Sequence, residues 1–186
     1  MSTEVINCDR LGVMSDTHGS LNGWSFAVDA IGPVGAMLHA GDVLYHGPRN
    51  PIPEWYQPSD LGSAIKNYKG MLLVSRGNCD APVDEMVTNM EFHPWVSLVW
   101  NDRKIIMMHG DNIPLLHALA HEGQADLVIS GHTHVPSLER EEGMIFLNPG
   151  STTLPKGGSR ASAAVIDDKA VTVLTLDGDV LYSEKW

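Results

Sequence analysis

Cysteine is scarce in this sequence: Cys8 and Cys79 are the only two in 186 residues, and they form no Cys-x-x-Cys pair. That excludes a disulfide framework or a thiolate zinc knuckle and suits a reducing compartment, so a cytoplasmic location is expected. Basic residues are also few. Lys and Arg number 12 against 23 Asp and Glu, a formal charge of −11, and a protein of that sign repels an extended nucleic-acid backbone. No apolar run reaches the roughly 18 residues that a membrane span needs. The stretch Met1 to Asn7 has no basic start leading into an apolar core, so neither a leader nor a span is expected. Repeats and low-complexity segments are absent. With 43% hydrophobic and 19% charged residues, the composition is ordinary globular usage, and the length suits one domain over residues 1–186.

What is present is a repeated grammar of apolar run followed by polar loop. Leu11 to Ser15 ends in Asp16-Thr17-His18-Gly19, and Trp24, Phe26, Val28 and Ile31 then suggest a helix. Ala36 to Ala40 runs into Gly41-Asp42, and Met71 to Ser75 into Arg76-Gly77-Asn78-Cys79-Asp80. Between them, Val43 to Ser59 carries Pro48, Pro51, Pro53 and Pro58, which no regular helix or central strand tolerates; an ordered functional loop or lid is expected. Asp60 is placed to cap a helix running through Tyr68, with Leu61, Ile65 and Tyr68 on one face. From Trp95 the pattern turns to hairpins: Trp95 to Trp100 and Arg103 to Met108 flank Asn101-Asp102. A helix is expected from Pro114 to His121, then a strand from Leu127 to Ser130 that ends in Gly131-His132-Thr133-His134. Two further hairpins pair Ser137 to Arg140 with Met144 to Leu147, and Ala161 to Ile166 with Ala170 to Leu176. The sum is an α/β sandwich with polar residues gathered at strand ends.

Alone, each polar loop has an ordinary explanation. An Asp after a strand is commonly a helix cap, Gly41-Asp42 reads as an Asx turn, and Asn78 sits in the composition of any tight turn. His132-x-His134 is stronger, because two imidazoles one residue apart at the end of a buried strand serve little purpose in a core. Together the loops supply two carboxylates, one amide and four imidazoles: Asp16, His18, Asp42, Asn78, His109, His132 and His134. A pair of divalent ions needs about four ligands each, carboxylate and imidazole mixed, with one carboxylate able to bridge.

In order, Asp16-x-His18, Gly41-Asp42, Gly77-Asn78, His109-Gly110 and Gly131-His132-Thr133-His134 resemble the signature of the calcineurin-like metallophosphoesterases, over nearly the whole chain. Asp42 to Asn50, Arg76 to Asp80 and Asn148-Pro149-Gly150-Ser151 look like the small bacterial YfcE-type phosphodiesterases. The resemblance implies a four-layer α-β-β-α sandwich of two mixed sheets flanked by helices, with a dinuclear metal site at the strand ends. It implies that Asp16, His18 and His134 hold one ion, that Asn78, His109 and His132 hold the other, and that Asp42 bridges them. Manganese is the expected ion, with zinc and iron suiting the same mixed donor set. The reaction implied is hydrolysis of small or activated phosphodiesters by attack of a metal-bound hydroxide.

One position departs from the wider pattern. Where many members of the family place a leaving-group histidine after Gly-Asn, this chain has Cys79, so Asn78, Cys79 and His109 are the catalytic candidates and Cys79 either assists weakly or fills space. His46 and Arg49, in the Pro-rich loop, either reach a substrate phosphate or form a solvated pair. His39 reads as a satisfied strand-end histidine, and His93, His117 and His121 as surface residues. Alternatives on the same scaffold are a phosphomonoesterase, a nucleotide-polyphosphate hydrolase, or a non-catalytic protein-binding scaffold like the retromer subunit. Trp55, Tyr56 and Trp95 offer aromatic contacts for a homo-oligomer.

Overall fold

The computed structural model describes residues 3–186; Met1 and Ser2, the start of the stretch read above as carrying no leader, lie outside the described residues. The chain opens with β1 (Glu4–Ile6) and β2 (Arg10–Met14), followed by α1 (Leu21–Ile31) and β3 (Ala36–His39). A long segment leads to α2 (Pro58–Lys66), then β4 (Met71–Ser75), α3 (Pro82–Thr88) and the short β5 (Phe92–His93). The hairpin of β6 (Val96–Trp100) and β7 (Arg103–Met107) precedes α4 (Ile113–Gly123) and β8 (Leu127–Ile129). The remainder is strand: β9 (Ser137–Glu141), β10 (Met144–Asn148), β11 (Ser162–Asp167), β12 (Ala170–Thr175) and β13 (Val180–Lys185).

The strands form two mixed sheets, ordered β1-β6-β7-β8-β10-β9 and β13-β12-β11-β2-β3-β4-β5. Because successive strand side chains point to opposite faces, each central strand feeds two cores. Leu11 and Val13 of β2, and Ala164 and Ile166 of β11, meet Leu98, Ile105, Met107, Leu127 and Ile129 from the other sheet. Met14, Ala163 and Val165 turn the other way, onto Trp24, Ala27 and Ile31 of α1 and Leu61 and Ile65 of α2. On the far side Ile106 and Val128 pack on Leu116 and Ala120 of α4. The result is four layers, helix, sheet, sheet, helix, as the resemblance implied.

Helix starts follow local chemistry. The Ser20 side chain caps α1 by accepting from Gly23 N at 3.1 Å, and Asn112 caps α4 by accepting from Leu115 N at 3.2 Å. For α2 the expected cap is wrong. The helix begins at Pro58 with Gln57 as cap residue and Asp60 lies in its first turn, because a proline at the first helical position has its φ already set and needs no donor. It also ends at Lys66, short of Tyr68. The strand β1, the helix α3, the short β5 and the edge strand β13 were not anticipated.

Register sets the site. β2, β3 and β4 run parallel with Met14, His39 and Val74 abreast, and β7 and β8 run parallel with Met107 beside Ile129. Within each sheet, the loops that leave these carboxyl ends therefore start at matching heights. Among the described residues, no helix is long and apolar enough to cross a membrane.

Candidate metal centre

The backbone of these loops is strained where the candidate ligands stand. Asp16, His18, Asp42, His132 and His134 all have positive φ, between 44° and 67°. That region is disfavoured for residues with a Cβ, and such strain tends to persist where the surroundings hold a functional geometry. Two glycines allow the loops to approach: a Cβ on Gly77 would run into Asp42, and one on Gly131 into Ser15 and Asp16. Asp80 ties two loops together. Its carboxylate accepts from the backbone N–H groups of Asp42 (2.9 Å), Val43 (2.7 Å) and Gly77 (2.7 Å).

All seven candidate ligands converge. Asp16 Oδ1 lies 3.3 Å from His134 Nε2 and 3.7 Å from His18 Nε2, and those two ring nitrogens are 3.1 Å apart. On the other side His109 Nε2 lies 3.1 Å from Asn78 Oδ1 and 3.2 Å from His132 Nδ1. Asp42 Oδ2 stands between the two groups, 3.7 Å from His18 Nε2 and 3.5 Å from His109 Nε2. The first group is buried, whereas Asn78 and His132 are exposed, so the site opens to solvent on their side.

The hydrogen bonds behind the rings decide what the site can hold. Nδ1 of His18, His109 and His134 donates to the backbone carbonyls of Tyr45 (2.8 Å), Ala40 (2.7 Å) and Leu154 (2.7 Å). Each Nε2 is then left as a lone pair aimed inward, the arrangement that fixed histidine ligands use. Lone pairs thus face each other and face carboxylate oxygens, and the buried Asp16 Oδ1 has no hydrogen-bond partner. Acceptors crowded in this way repel unless a cation sits among them. Ligand atoms about 2.1 Å from one ion stand roughly 3–3.5 Å apart, which matches the N···N and N···O separations here, so the residues fit divalent metal.

The charges agree. Burial alone would raise the carboxyls of Asp16 and Asp42, yet the surrounding imidazoles, chiefly His134 for Asp16 and His109 for Asp42, hold both below the usual carboxylate range. Burial opposes a charge on His109, but the Asp42 and Asp16 carboxylates outweigh it and push its pKa up to about 9. Without metal, a proton is drawn into the same pocket of lone pairs. Burial, then the Asp42 carboxylate, pushes the Cys79 thiol up to about 12, so it is a neutral thiol at pH 7.

Of the two residues expected to meet substrate, Arg49 lines a polar cavity of about 300 Å³ beside the centre, together with Asn50, Asn78, His132 and His134. The His46 ring is instead packed edge-on between Tyr45 and Tyr56, with ring centroids 4.8 and 5.1 Å away. Lys156, which also lines the polar cavity, was missed; its N–H donates to the His134 carbonyl at 3.1 Å. Asn148 and Ser151 are buried braces of the loops. Asn148 Nδ2 donates to the Gly131 carbonyl at 2.7 Å, and Ser151 Oγ donates to the Asp16 carbonyl at 2.7 Å. Trp55 is exposed, while Trp95 packs against the cluster under α4. His121 is exposed and His93 and His117 are half-buried, His117 stacking on Phe146.

His39 is satisfied, as its position suggested. Its Nδ1 accepts from Gly41 N at 3.1 Å, which leaves Nε2–H to donate to Thr17 Oγ1 at 3.1 Å, and Thr17 passes the chain on to the Val43 carbonyl at 2.8 Å. A second ring proton has no acceptor, and burial lowers the pKa to about 4. The folded ring stays neutral down to that pH, while the unfolded ring gains a proton below about 6.5. Stability contributed by this difference is whole above pH 6.5 and falls as pH drops toward 4, by on the order of 3 kcal/mol. Denaturant unfolding with chelator present should show wild type losing about that much more than His39→Gln between pH 7 and pH 4; parallel losses in the two proteins would refute the assignment.

The model of the calcineurin-like phosphoesterase superfamily domain matches residues 10–170. Phosphodiesterase YfcE of Escherichia coli (strain K12) is 32% identical over 183 residues, covering 94% of this chain and 96% of the relative. A solved structure of YfcE, described as a phosphoesterase from E. coli, superposes with a TM-score of 0.84 at 28% identity, covering 95% of this chain and 98% of that one. Vacuolar Protein Sorting 29 from Cryptosporidium parvum has the same fold, with a TM-score of 0.66 at 19% identity over 96% of this chain and 98% of its own. Matched by the family model along most of its length, and by a relative of above 30% identity over nearly all of both chains, the chain belongs to the calcineurin-like phosphoesterase superfamily.

Proposed function

We propose that this chain acts, as one domain over residues 1–186, as a metal-dependent phosphodiesterase on small or activated phosphodiesters. The observation that carries this reading is the Asp42 carboxylate lying between two sets of inward-facing donors, with Asp16 Oδ1 buried and unpartnered. Asp16, His18 and His134 would hold one ion and Asn78, His109 and His132 the other, with Asp42 shared. When bound, two divalent ions, manganese in the first place and zinc or iron otherwise, supply Lewis acidity and a nucleophile at neutral pH. The chain's own contribution is orientation. Carbonyl-anchored imidazoles keep their lone pairs inward, Asp80 locks the Asp42 and Gly77 loops, and Arg49 and Lys156 bring positive charge to a cavity in an otherwise acidic protein. Diester over monoester rests on the relationship to YfcE. Both cysteines are free, which suits the cytoplasm, and the charge of −11 disfavours extended nucleic acid as substrate. The scaffold reading draws on fold alone, and the intact donor set argues against it.

The test is a comparison of kcat/KM for bis(p-nitrophenyl) phosphate and p-nitrophenyl phosphate with Mn, Zn and Fe. About two ions per chain, loss of turnover on chelation and faster diester hydrolysis are expected. Monoester preference across metals would move the assignment to a phosphomonoesterase, and absence of bound metal after saturation would end it.

A further inference from the structure

A second cavity, of about 390 Å³, adjoins the polar one, and Cys79 lines both. Its walls are mainly apolar: Leu44, Tyr45, Tyr56, Val83 and Val87. Tyr45 and Val83 are 42% and 56% exposed, so apolar surface stays open to water at its mouth. Pockets of this size and lining are where proteins take small organic groups.

The chemistry of the walls selects the occupant. The one carboxylate there, Asp84, accepts from Ala81 N at 2.8 Å, and no cationic side chain is among the lining residues, so a phosphate finds no counter-charge in it. A flat, uncharged ring suits a lining of two tyrosines and two valines, because aromatic pairs gain from offset or edge contact as well as from burial. The partition between the cavities is a single small side chain. Cys79 Sγ faces the Gly47 backbone so closely that a Cβ on Gly47 would sit 2.8 Å from it, and a bulkier side chain at 79 would have to extend into one cavity or the other.

We propose that this apolar cavity binds the aromatic ester group, aryl or nucleobase, of the substrate while its phosphate lies at the metal centre; the inference rests on the phosphodiesterase reading and adds the substrate class. Specificity then comes from the loop that follows Asp42 and from α3, which carries Val83 and Val87. Tyr45 and Val83 act as specificity residues through contact with the ring.

Benzylphosphonate and ethylphosphonate separate the two readings, since both carry the same anion, resist hydrolysis at the C–P bond, and differ only in the ring. Their dissociation constants would be measured by calorimetry on the Mn-loaded protein. Burying one ring is worth roughly ten- to a hundredfold, so benzylphosphonate should bind tighter by that factor. In Val83→Asp the ratio should collapse toward one. An acid in the first turn of a helix is compatible with α3, and should that variant fail to fold, the isosteric Val83→Thr should move the ratio the same way by a smaller factor. Equal affinities in wild type, or a ratio that survives both substitutions, would overturn the cavity's role and leave the metal reading intact. If neither phosphonate binds the Mn-loaded protein, the phosphoesterase reading of the centre fails and takes this inference with it. A concentration-dependent dimer that Val83→Asp abolishes, with the ratio unmoved, would assign the surface to a second copy of the chain instead.

Discussion

Replacing Asp42 with Ala should reduce diester hydrolysis by about a thousandfold or more, since losing the carboxylate proposed to be shared by two ions would remove several kcal/mol of charge stabilisation. Asp42 Oδ2 lies between the two donor groups, and burial of its carboxylate is tolerated because His109 and His18 flank it. Its other oxygen accepts from Cys79 N at 2.8 Å and so anchors the turn that carries Asn78. Alanine removes both contributions at once. Asp42→Asn separates them: the amide oxygen can still accept from Cys79 N, so the loop is kept while the negative charge is lost. Both variants should bind fewer ions than wild type by elemental analysis, with Asp42→Asn the closer to wild type in thermal unfolding under chelator. Near-normal turnover and metal content in Asp42→Asn would mean that Asp42 serves the loop alone, and the shared-ligand assignment would be withdrawn.

The parts of this arrangement that were legible in the sequence share a physical cause. β2, β3 and β8 are buried on both faces, so they read as apolar runs with an abrupt polar end, and candidate ligands that stand just past those ends announce themselves by position. β13 is an edge strand with Tyr182 and Val180 exposed, and β1 is three residues long; neither carries a pattern that local reading detects. In α3 the expected pattern is inverted, since Asp84 and Thr88 are buried while Val83 and Met86 are exposed. Contacts that depend on distant segments were hidden altogether. The Asp80 carboxylate spans 37 and 38 residues to reach Val43 and Asp42, and the carbonyl that orients His134 belongs to Leu154, 20 residues on. Lys156 enters the polar cavity by that same fold-back, and no spacing in the sequence marks it. The α2 cap was misread because two start signals stood close together, and Pro58 preceded Asp60.

Cys79→His should raise kcat/KM for esters that expel a basic alkoxide, by as much as the 10²–10⁴-fold that a positioned proton donor contributes, and should change aryl esters little. The wild-type thiol is a weak donor: burial and the Asp42 carboxylate push it up to about 12. A phenolate departs without much help, so an aryl substrate does not report that weakness, whereas a nucleoside or alkyl substrate does. The backbone at 79 is held independently of its side chain, because Cys79 N donates to Asp42 Oδ1 at 2.8 Å. An imidazole therefore starts from a fixed point. Cys79 also lines the polar cavity beside the centre, and an imidazole that extends into it stays clear of the apolar cavity. Cys79→Ala gives the complementary measurement, since aryl diester turnover should persist if the thiol only fills space. The three proteins would be compared on one aryl and one nucleoside diester at matched metal content. A larger gain on the nucleoside ester supports proton donation from position 79; equal changes on both substrates would show that the residue acts through packing or metal geometry, and the leaving-group argument would not stand.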